Sequence, residues 1–300
     1  MAYYRHILTF IILNYITASL WGQQIDVFKI KTPSKENPTA TFRCRAPSRY
    51  DESSKVKYRL LIYFGGRNTT GESEIKNASW TSWCDKNGIF LIVPSYKNDA
   101  YWEPQKWSGR ALLEAIAQLK RKYPNICGDK LLFYGYSAGA QCSNLFPAWI
   151  PDKTRAYVSH ACGVFHKPDE KMKNVAALLT CGDADRRRMT INLRFIESCR
   201  KLGISVLWKS FPNRPHDLPQ GSIYLAQKFL ERYHKLYIND LDKSKPKPAE
   251  NGSPIFVGDD QDGAVYPANS PAARQIYEDD KVFFHSKELA DAWAESATMP

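Results

Sequence analysis

The sequence predicts an α/β fold: a mostly parallel central sheet with helices on both faces, no large cap domain, and a small strand-and-helix extension at the C-terminal end. Three observations carry this. Continuous apolar runs such as Val56–Phe64 (VKYRLLIYF), Gly88–Pro94 (GIFLIVP) and Lys130–Tyr136 (KLLFYGY) have the length and composition of buried strands. They alternate with helical segments, of which Ser108–Tyr123 (SGRALLEAIAQLKRKY) is the most regular. Three hundred residues with 43% hydrophobic content can fill the core of one domain of about 200–250 residues and leave an extension.

At the N-terminus, MAYYRHILTFIILNYITASLWGQQ places Arg5 and His6 before an apolar run from Ile7 to Ile16, with the small residues Ala18, Ser19 and Gly22 behind it. This is the pattern of a secretory signal peptide over residues 1–22. The alternative is a membrane anchor, but the run is shorter than the ~20 residues that span a bilayer. An extracytoplasmic protein, secreted or periplasmic, is expected, with no stable membrane insertion once the signal is removed. Seven cysteines (Cys44, Cys84, Cys127, Cys142, Cys162, Cys181, Cys199) are scattered through apolar segments without metal-ligand spacing. Most read as small core residues, and the odd count leaves at least one unpaired unless chains pair.

The body follows as residues 23–238. Ala40–Arg45 (ATFRCR) alternates as an edge strand does, and Val56–Phe64 then becomes continuously apolar and ends in Gly65-Gly66-Arg67. Ser73–Lys86 reads as a helix, Gly88–Pro94 as a strand, and Ser108–Tyr123 as a helix with Ser108 as its N-cap. Strands are expected at Arg155–Ser159, Val175–Cys181 and Ser205–Phe211, and helices at about Arg188–Leu202 and Leu218–Tyr237.

The organising stretch is Lys130–Phe146 (KLLFYGYSAGAQCSNLF), where a strand passes through Gly135-Tyr136-Ser137-Ala138-Gly139 into an amphipathic helix. A strand turning directly into a helix holds the intervening Ser in a strained conformation that presents its hydroxyl. Bulky side chains two positions to either side would collide, hence Gly135 and Gly139. The Ala138 N–H at the helix N-terminus is placed to stabilise an oxyanion. Ser137 is therefore a candidate nucleophile.

A serine hydroxyl needs a base to take its proton and an acid to orient that base. In parallel sheets, sites lie beyond the carboxyl ends of the strands, and with such an elbow the partners follow in the order Ser, acid, His. The loops after Val175–Cys181 and Ser205–Phe211 carry Gly182-Asp183-Ala184-Asp185 and Pro212-Asn213-Arg214-Pro215-His216-Asp217. His216 is the best-placed base. Asp185 is favoured as the acid over Asp183, because the third position after the Gly commonly reaches back to the His, and Asp183 is then expected to cap the following helix. A second oxyanion donor is expected from the Gly66 or Arg67 amide.

GYSAG, the GG loop, GDAD and PHD, in this order over roughly residues 40–237, resemble the α/β-hydrolase family, and within it secreted esterases related to polyhydroxybutyrate depolymerases and feruloyl esterases. The resemblance implies hydrolysis through an acyl-serine intermediate, with no metal or cofactor. Depolymerases of this group often carry SAGG after the elbow where this chain has SAGA, a departure that bears on substrate rather than chemistry.

Around the elbow, Tyr101, Trp102 and Trp107 in DAYWEPQKW follow the strand ending at Pro94 and are expected to overhang the catalytic edge, where they would stack on a phenolic or sugar ring or pack the loop. The short connection after Arg155–Ser159 leaves no room for a large cap and implies an open cleft suited to a polymeric or oligomeric ester. Arg186, Arg187, Arg188 and Arg214 either edge that cleft or form a solvated helix start.

Residues 239–252 read as a Lys-, Pro- and Asp-containing linker, and 253–300 as a small acidic module with strands near Ile255–Val257, Val265–Pro267 and Lys281–Phe284 and a helix at Ser286–Ala294. The module faintly resembles the zinc-binding module of Ada-type repair proteins, but it holds no Cys and only His285, so no metal is expected. Nine acidic and three basic residues give it a net −6, so the remainder of this +11 chain carries +17; docking of the module against this basic body is expected, with carbohydrate or surface attachment as the alternative. No Arg-rich helix or aromatic RNA-binding signature points to nucleic acid. The expected function is a secreted serine esterase on ester-decorated polysaccharide or aliphatic polyester; the alternatives are a serine peptidase of the same fold or a silent hydrolase-fold binding protein.

Overall fold

The computed structural model describes residues 24–67, 69–97, 100–241 and 253–299. The expected signal peptide and most of the expected linker lie outside the described residues. The described chain builds an eight-stranded sheet from β1 (Ile25–Lys31), β2 (Thr39–Arg45), β3 (Arg59–Phe64), β4 (Ile89–Ser95), β5 (Leu131–Tyr136), β6 (Thr154–His160), β7 (Ala176–Gly182) and β8 (Val206–Phe211), in the spatial order β1-β2-β4-β3-β5-β6-β7-β8. β3 to β8 run parallel, and β1 and β2 are added antiparallel at one side.

Every residue of β3 is buried. Because successive side chains point to opposite faces, such a strand must be covered on both. The cover comes from α1 (Gly71–Glu74), α2 (Ala78–Asn87), α3 (Ser108–Lys122), α4 (Ala138–Trp149), α5 (Arg186–Lys201) and α6 (Gln220–Leu241). α3 shows why: Leu112, Ala115, Ile116 and Leu119 form one buried stripe at helical spacing.

Three expectations about elements are corrected. Residues 39–45 form a second strand rather than an edge, because β1 pairs outside them in the register Ile25 to Arg45. Alternation reports one packed face, and an interior antiparallel strand has that as well as an edge does. The expected helix over Ser73–Lys86 is two helices, since Asn77 caps α2 by accepting the Trp80 N–H at 3.4 Å. Ser108 does not cap α3; its hydroxyl donates to the Tyr101 carbonyl at 2.5 Å and fastens the preceding loop, while Trp107 takes the N-cap position without a side-chain capping bond. α6 also runs on to Leu241, through the first residues of the expected linker.

The C-terminal extension adds β9 (Phe256–Asp259), β10 (Val265–Pro267), α7 (Pro271–Gln275), β11 (Lys281–Phe284) and α8 (Lys287–Ser296), with β9 in the centre of an antiparallel three-stranded sheet. It docks on the exposed edge of β8. Trp293 is fully buried, donates its indole N–H to the Trp208 carbonyl at 2.6 Å, and lies 3.5 Å below the Lys209 ammonium. The Asp260 carboxylate accepts from the Trp208 indole at 2.6 Å and the Ser210 backbone N–H at 3.0 Å, so an edge strand that would otherwise offer free amides is covered. Burial pushes the Lys209 pKa down to about 8 against the opposing pull of Asp260 and Asp262.

Candidate active site

Ser137 sits between β5 and α4 with φ 55° and ψ −114°, a region that non-glycine residues rarely occupy. Two close approaches hold it there. A Cβ on Gly135 would lie 2.1 Å from the Gly139 carbonyl oxygen, and one on Gly139 would lie 2.1 Å from the Phe64 carbonyl oxygen. No side chain fits either position, so α4 seats directly on the ends of β3 and β5.

The loops after β7 and β8 are laced together. The Asp183 and Ala184 amides donate to the Phe211 and Arg214 carbonyls at 3.1 and 3.0 Å. That lacing brings Asp185 under His216: His216 Nδ1 lies 2.7 Å from Asp185 Oδ2, and His216 Nε2 lies 2.8 Å from Ser137 Oγ. A carboxylate partner requires the proton on Nδ1, which leaves Nε2 as the acceptor for the Ser137 hydroxyl. The Asp185 side chain is 8% exposed, whereas Asp183 points to solvent. Asp185 also occupies the N-cap position of α5 without a capping bond, because its oxygens face His216 and, at 3.4 Å, Arg188. The expected capping by Asp183 is therefore not found.

Beneath this row lies a buried group. Tyr136 stacks on the His216 ring at 5.4 Å and donates its hydroxyl to the His216 carbonyl at 3.2 Å. On its far side is His160, fully buried, with Nε2 2.8 Å from the Asp217 carbonyl and Nδ1 2.7 Å from both Thr180 Oγ1 and Ser222 Oγ. Nε2 must carry the proton, and Nδ1 accepts from a hydroxyl. Burial pushes the His160 pKa down to about 4, keeping the ring neutral. Tyr136 and His160 thus grip consecutive carbonyls of the loop bearing His216. His160 is not among the site residues expected from the sequence. The available signal was its place at the end of β6, in register with Tyr136.

The other expected residues are distributed unevenly. Ala138 is the first residue of α4, where an amide has no partner within its own helix. Gly66 lies against Tyr136, its Cβ direction 3.2 Å from that ring. Gly65, Gly66 and Tyr101 line a depression of only about 20 Å³. Trp107 is 3% exposed and packs edge-on to Tyr96 at 5.3 Å, so it cannot face a substrate, and the expectation that it overhangs the edge is corrected. Trp102 is half-buried against Tyr101 at 5.2 Å. Arg188 pairs with Asp185, and Arg214 with Asp217 at 2.8 Å.

No family model matches this chain, and no curated protein matches it. Solved structures do. A ferulic acid esterase from the anaerobic fungus Anaeromyces mucronatus superposes with a TM-score of 0.56 at 17% identity, over 72% of this chain and 94% of that one. The fold is that of the α/β-hydrolases. An S-formylglutathione hydrolase from Staphylococcus aureus aligns with a TM-score of 0.53 at 14% identity, over 73% of this chain and all (100%) of that one. A putative dipeptidyl aminopeptidase IV from Bacteroides ovatus aligns with a TM-score of 0.55 at 15% identity, over 71% of this chain and 36% of that one. In an α/β-hydrolase the nucleophile, acid and histidine follow strands of the sheet in that chain order. Here Ser137 follows β5, Asp185 follows β7 and His216 follows β8.

Proposed function

We propose that this protein is a secreted serine carboxylic-ester hydrolase acting through an acyl-serine intermediate. The observation that carries the reading is the continuous chain from Ser137 Oγ through His216 to Asp185, with links of 2.8 and 2.7 Å. As Ser137 attacks an ester carbonyl, its proton passes to His216 Nε2, and Asp185 stabilises the imidazolium through Nδ1–H. The Ala138 amide, with that of Gly66 or Arg67, takes the oxyanion. His216 then protonates the departing alkoxide, and water attacks the acyl-serine by the same route, releasing the carboxylate.

The proposed substrates are feruloyl or acetyl esters of polysaccharide, or an aliphatic polyester. A shallow, uncapped edge admits a bulky chain, and Tyr101 beside the Gly65–Gly66 loop offers a ring face to an acyl group. Ferulic acid esterases among the structural neighbours support the aromatic acyl choice. Export rests on the N-terminal pattern of residues 1–22, and no helix among the described residues is long and apolar enough to cross a membrane. Residues 23–238 form the proposed catalytic domain and 253–300 its appended module.

Short-chain p-nitrophenyl esters test the chemistry. Wild type is expected to hydrolyse them and Ser137→Ala to be inactive; equal rates would end the proposal. A panel of feruloylated xylan, acetylated xylan, polyhydroxybutyrate and aminopeptide substrates then selects the ester, and turnover confined to the peptides would favour a peptidase.

A further inference from the structure

His160 joins the turn of the nucleophile to the loop of the base. Its backbone carbonyl accepts the Ser137 N–H at 3.0 Å, and its imidazole Nε2 lies 2.8 Å from the carbonyl of Asp217, the residue after His216. The chain leaving it is constrained as well: Ala161 has φ 52° and donates its N–H to the Thr180 carbonyl at 2.8 Å. One buried residue thus bears on both partners of the proton transfer.

The ring belongs to a row that crosses the sheet. Tyr136 of β5, His160 of β6 and Thr180 of β7 are in register, so their side chains emerge on one face. At one end of the row the Tyr136 hydroxyl donates to the His216 carbonyl. At the other, the fully buried Thr180 and Ser222 place their hydroxyl oxygens 3.0 Å apart and each 2.7 Å from His160 Nδ1. Two hydroxyl protons serve this triangle, one donated to Nδ1 and one to the neighbouring hydroxyl oxygen. With Nδ1 accepting, the single N–H of the neutral ring is at Nε2 and points at Asp217.

The distance that decides the chemistry is the 2.8 Å from His216 Nε2 to Ser137 Oγ. His216 is exposed and sits on a loop, and loops are more mobile than the elements they connect. Misplacing a reacting group by about 1 Å can cost about 10²-fold in rate. We propose that His160 is a positioning residue for the esterase reading above, its Nε2–H holding the Asp217 carbonyl, and with it His216, at the distance from which the base takes the Ser137 proton. The inference rests on that reading. His160 is fully buried and reaches the reacting atoms only through the backbone.

A purely structural role would show in stability alone, and two amide replacements separate the alternatives. Gln puts its amide nitrogen where Nε2 lies and keeps the donor to Asp217; Asn puts its amide where Nδ1 lies and keeps only the contacts to Thr180 and Ser222. On p-nitrophenyl butyrate, His160→Asn should lower kcat about 10²-fold with KM within about twofold of wild type, and His160→Gln should recover kcat to within about threefold. Thermal melts check that both variants are folded at the assay temperature. NMR of the wild type with isotope-labelled histidine needs no variant, and at neutral pH should find the His160 proton on Nε2. The proposal is overturned if folded His160→Asn keeps the wild-type kcat, if His160→Gln falls as far as His160→Asn, if KM rises in place of a fall in kcat, or if the proton is on Nδ1. An inactive wild type would end the esterase reading and this inference together, whereas an active wild type matched by His160→Asn ends this one alone.

Discussion

The two edges of the sheet solve their problems differently. At the carboxyl edge the backbone does the positioning: a left-handed Ser137, glycines in contact with carbonyls, and two backbone hydrogen bonds lacing the Asp185 and His216 loops. Side chains there enclose little, a depression of about 20 Å³ beside Gly66. At the amino edge a cavity of about 400 Å³ is assembled from side chains of strands, a helix and the docked extension. Reaction geometry is thus set by short-range chain conformation, and enclosed volume by long-range packing. The first should be broken by changes of one or two atoms at the elbow, the second by undocking the tail.

The largest effect is expected from Asp185→Asn, which removes the charge that fixes the His216 tautomer: kcat/KM for p-nitrophenyl esters should fall about 10⁴-fold with little change in KM. Steady-state kinetics reads this, and an unchanged thermal melt shows that the fold is intact. Trp293→Ala should cost about 3–5 kcal/mol in denaturant unfolding, as a fully buried indole bonded to the Trp208 carbonyl is deleted. The folded fraction should still turn over ester, and loss of turnover in folded protein would break the separation of the edges.

Gly139→Ala should cost about 1–3 kcal/mol, because its Cβ would meet the Phe64 carbonyl oxygen at 2.1 Å. Here kcat for p-nitrophenyl esters should fall, as steady-state kinetics would show. The smallest effect is one of pH. His160 stays neutral when folded, with its pKa lowered by burial to about 4, while an unfolded histidine protonates near 6.5. Between those values the unfolded chain binds the extra proton, so stability is complete above about pH 6.5 and falls as the pH drops toward 4. His234, also lowered to about 4 by burial and by Arg59, adds to the slope. His160→Gln should make the decline shallower without removing it, as thermal melts across this range would show.

What was legible in the sequence follows the same division. Buried strands announce themselves by continuous apolar runs, and β3 to β8 all fall near their expected positions. The placement of Ser137, Asp185 and His216 within hydrogen-bonding distance follows from loops at the carboxyl ends of the parallel strands β5, β7 and β8, a consequence of topology. Of the two roles open to Trp107, packing the loop is the one found, which loop position could not decide because it does not determine which way an indole turns; Ser108 ties that loop down and the ring packs on Tyr96. His160 was passed over because its role depends on register with Tyr136 across the sheet. The amino-edge cavity was not legible, since the strands, the helix α6 and the extension that wall it are separated by tens of residues in the chain.

Intact-mass and peptide mass spectrometry after treatment with a fluorophosphonate tests the central claim most directly. The account predicts one covalent adduct per chain, located on Ser137, absent from Ser137→Ala and slowed in Asp185→Asn. An unmodified protein, or an adduct on any other residue, would contradict it.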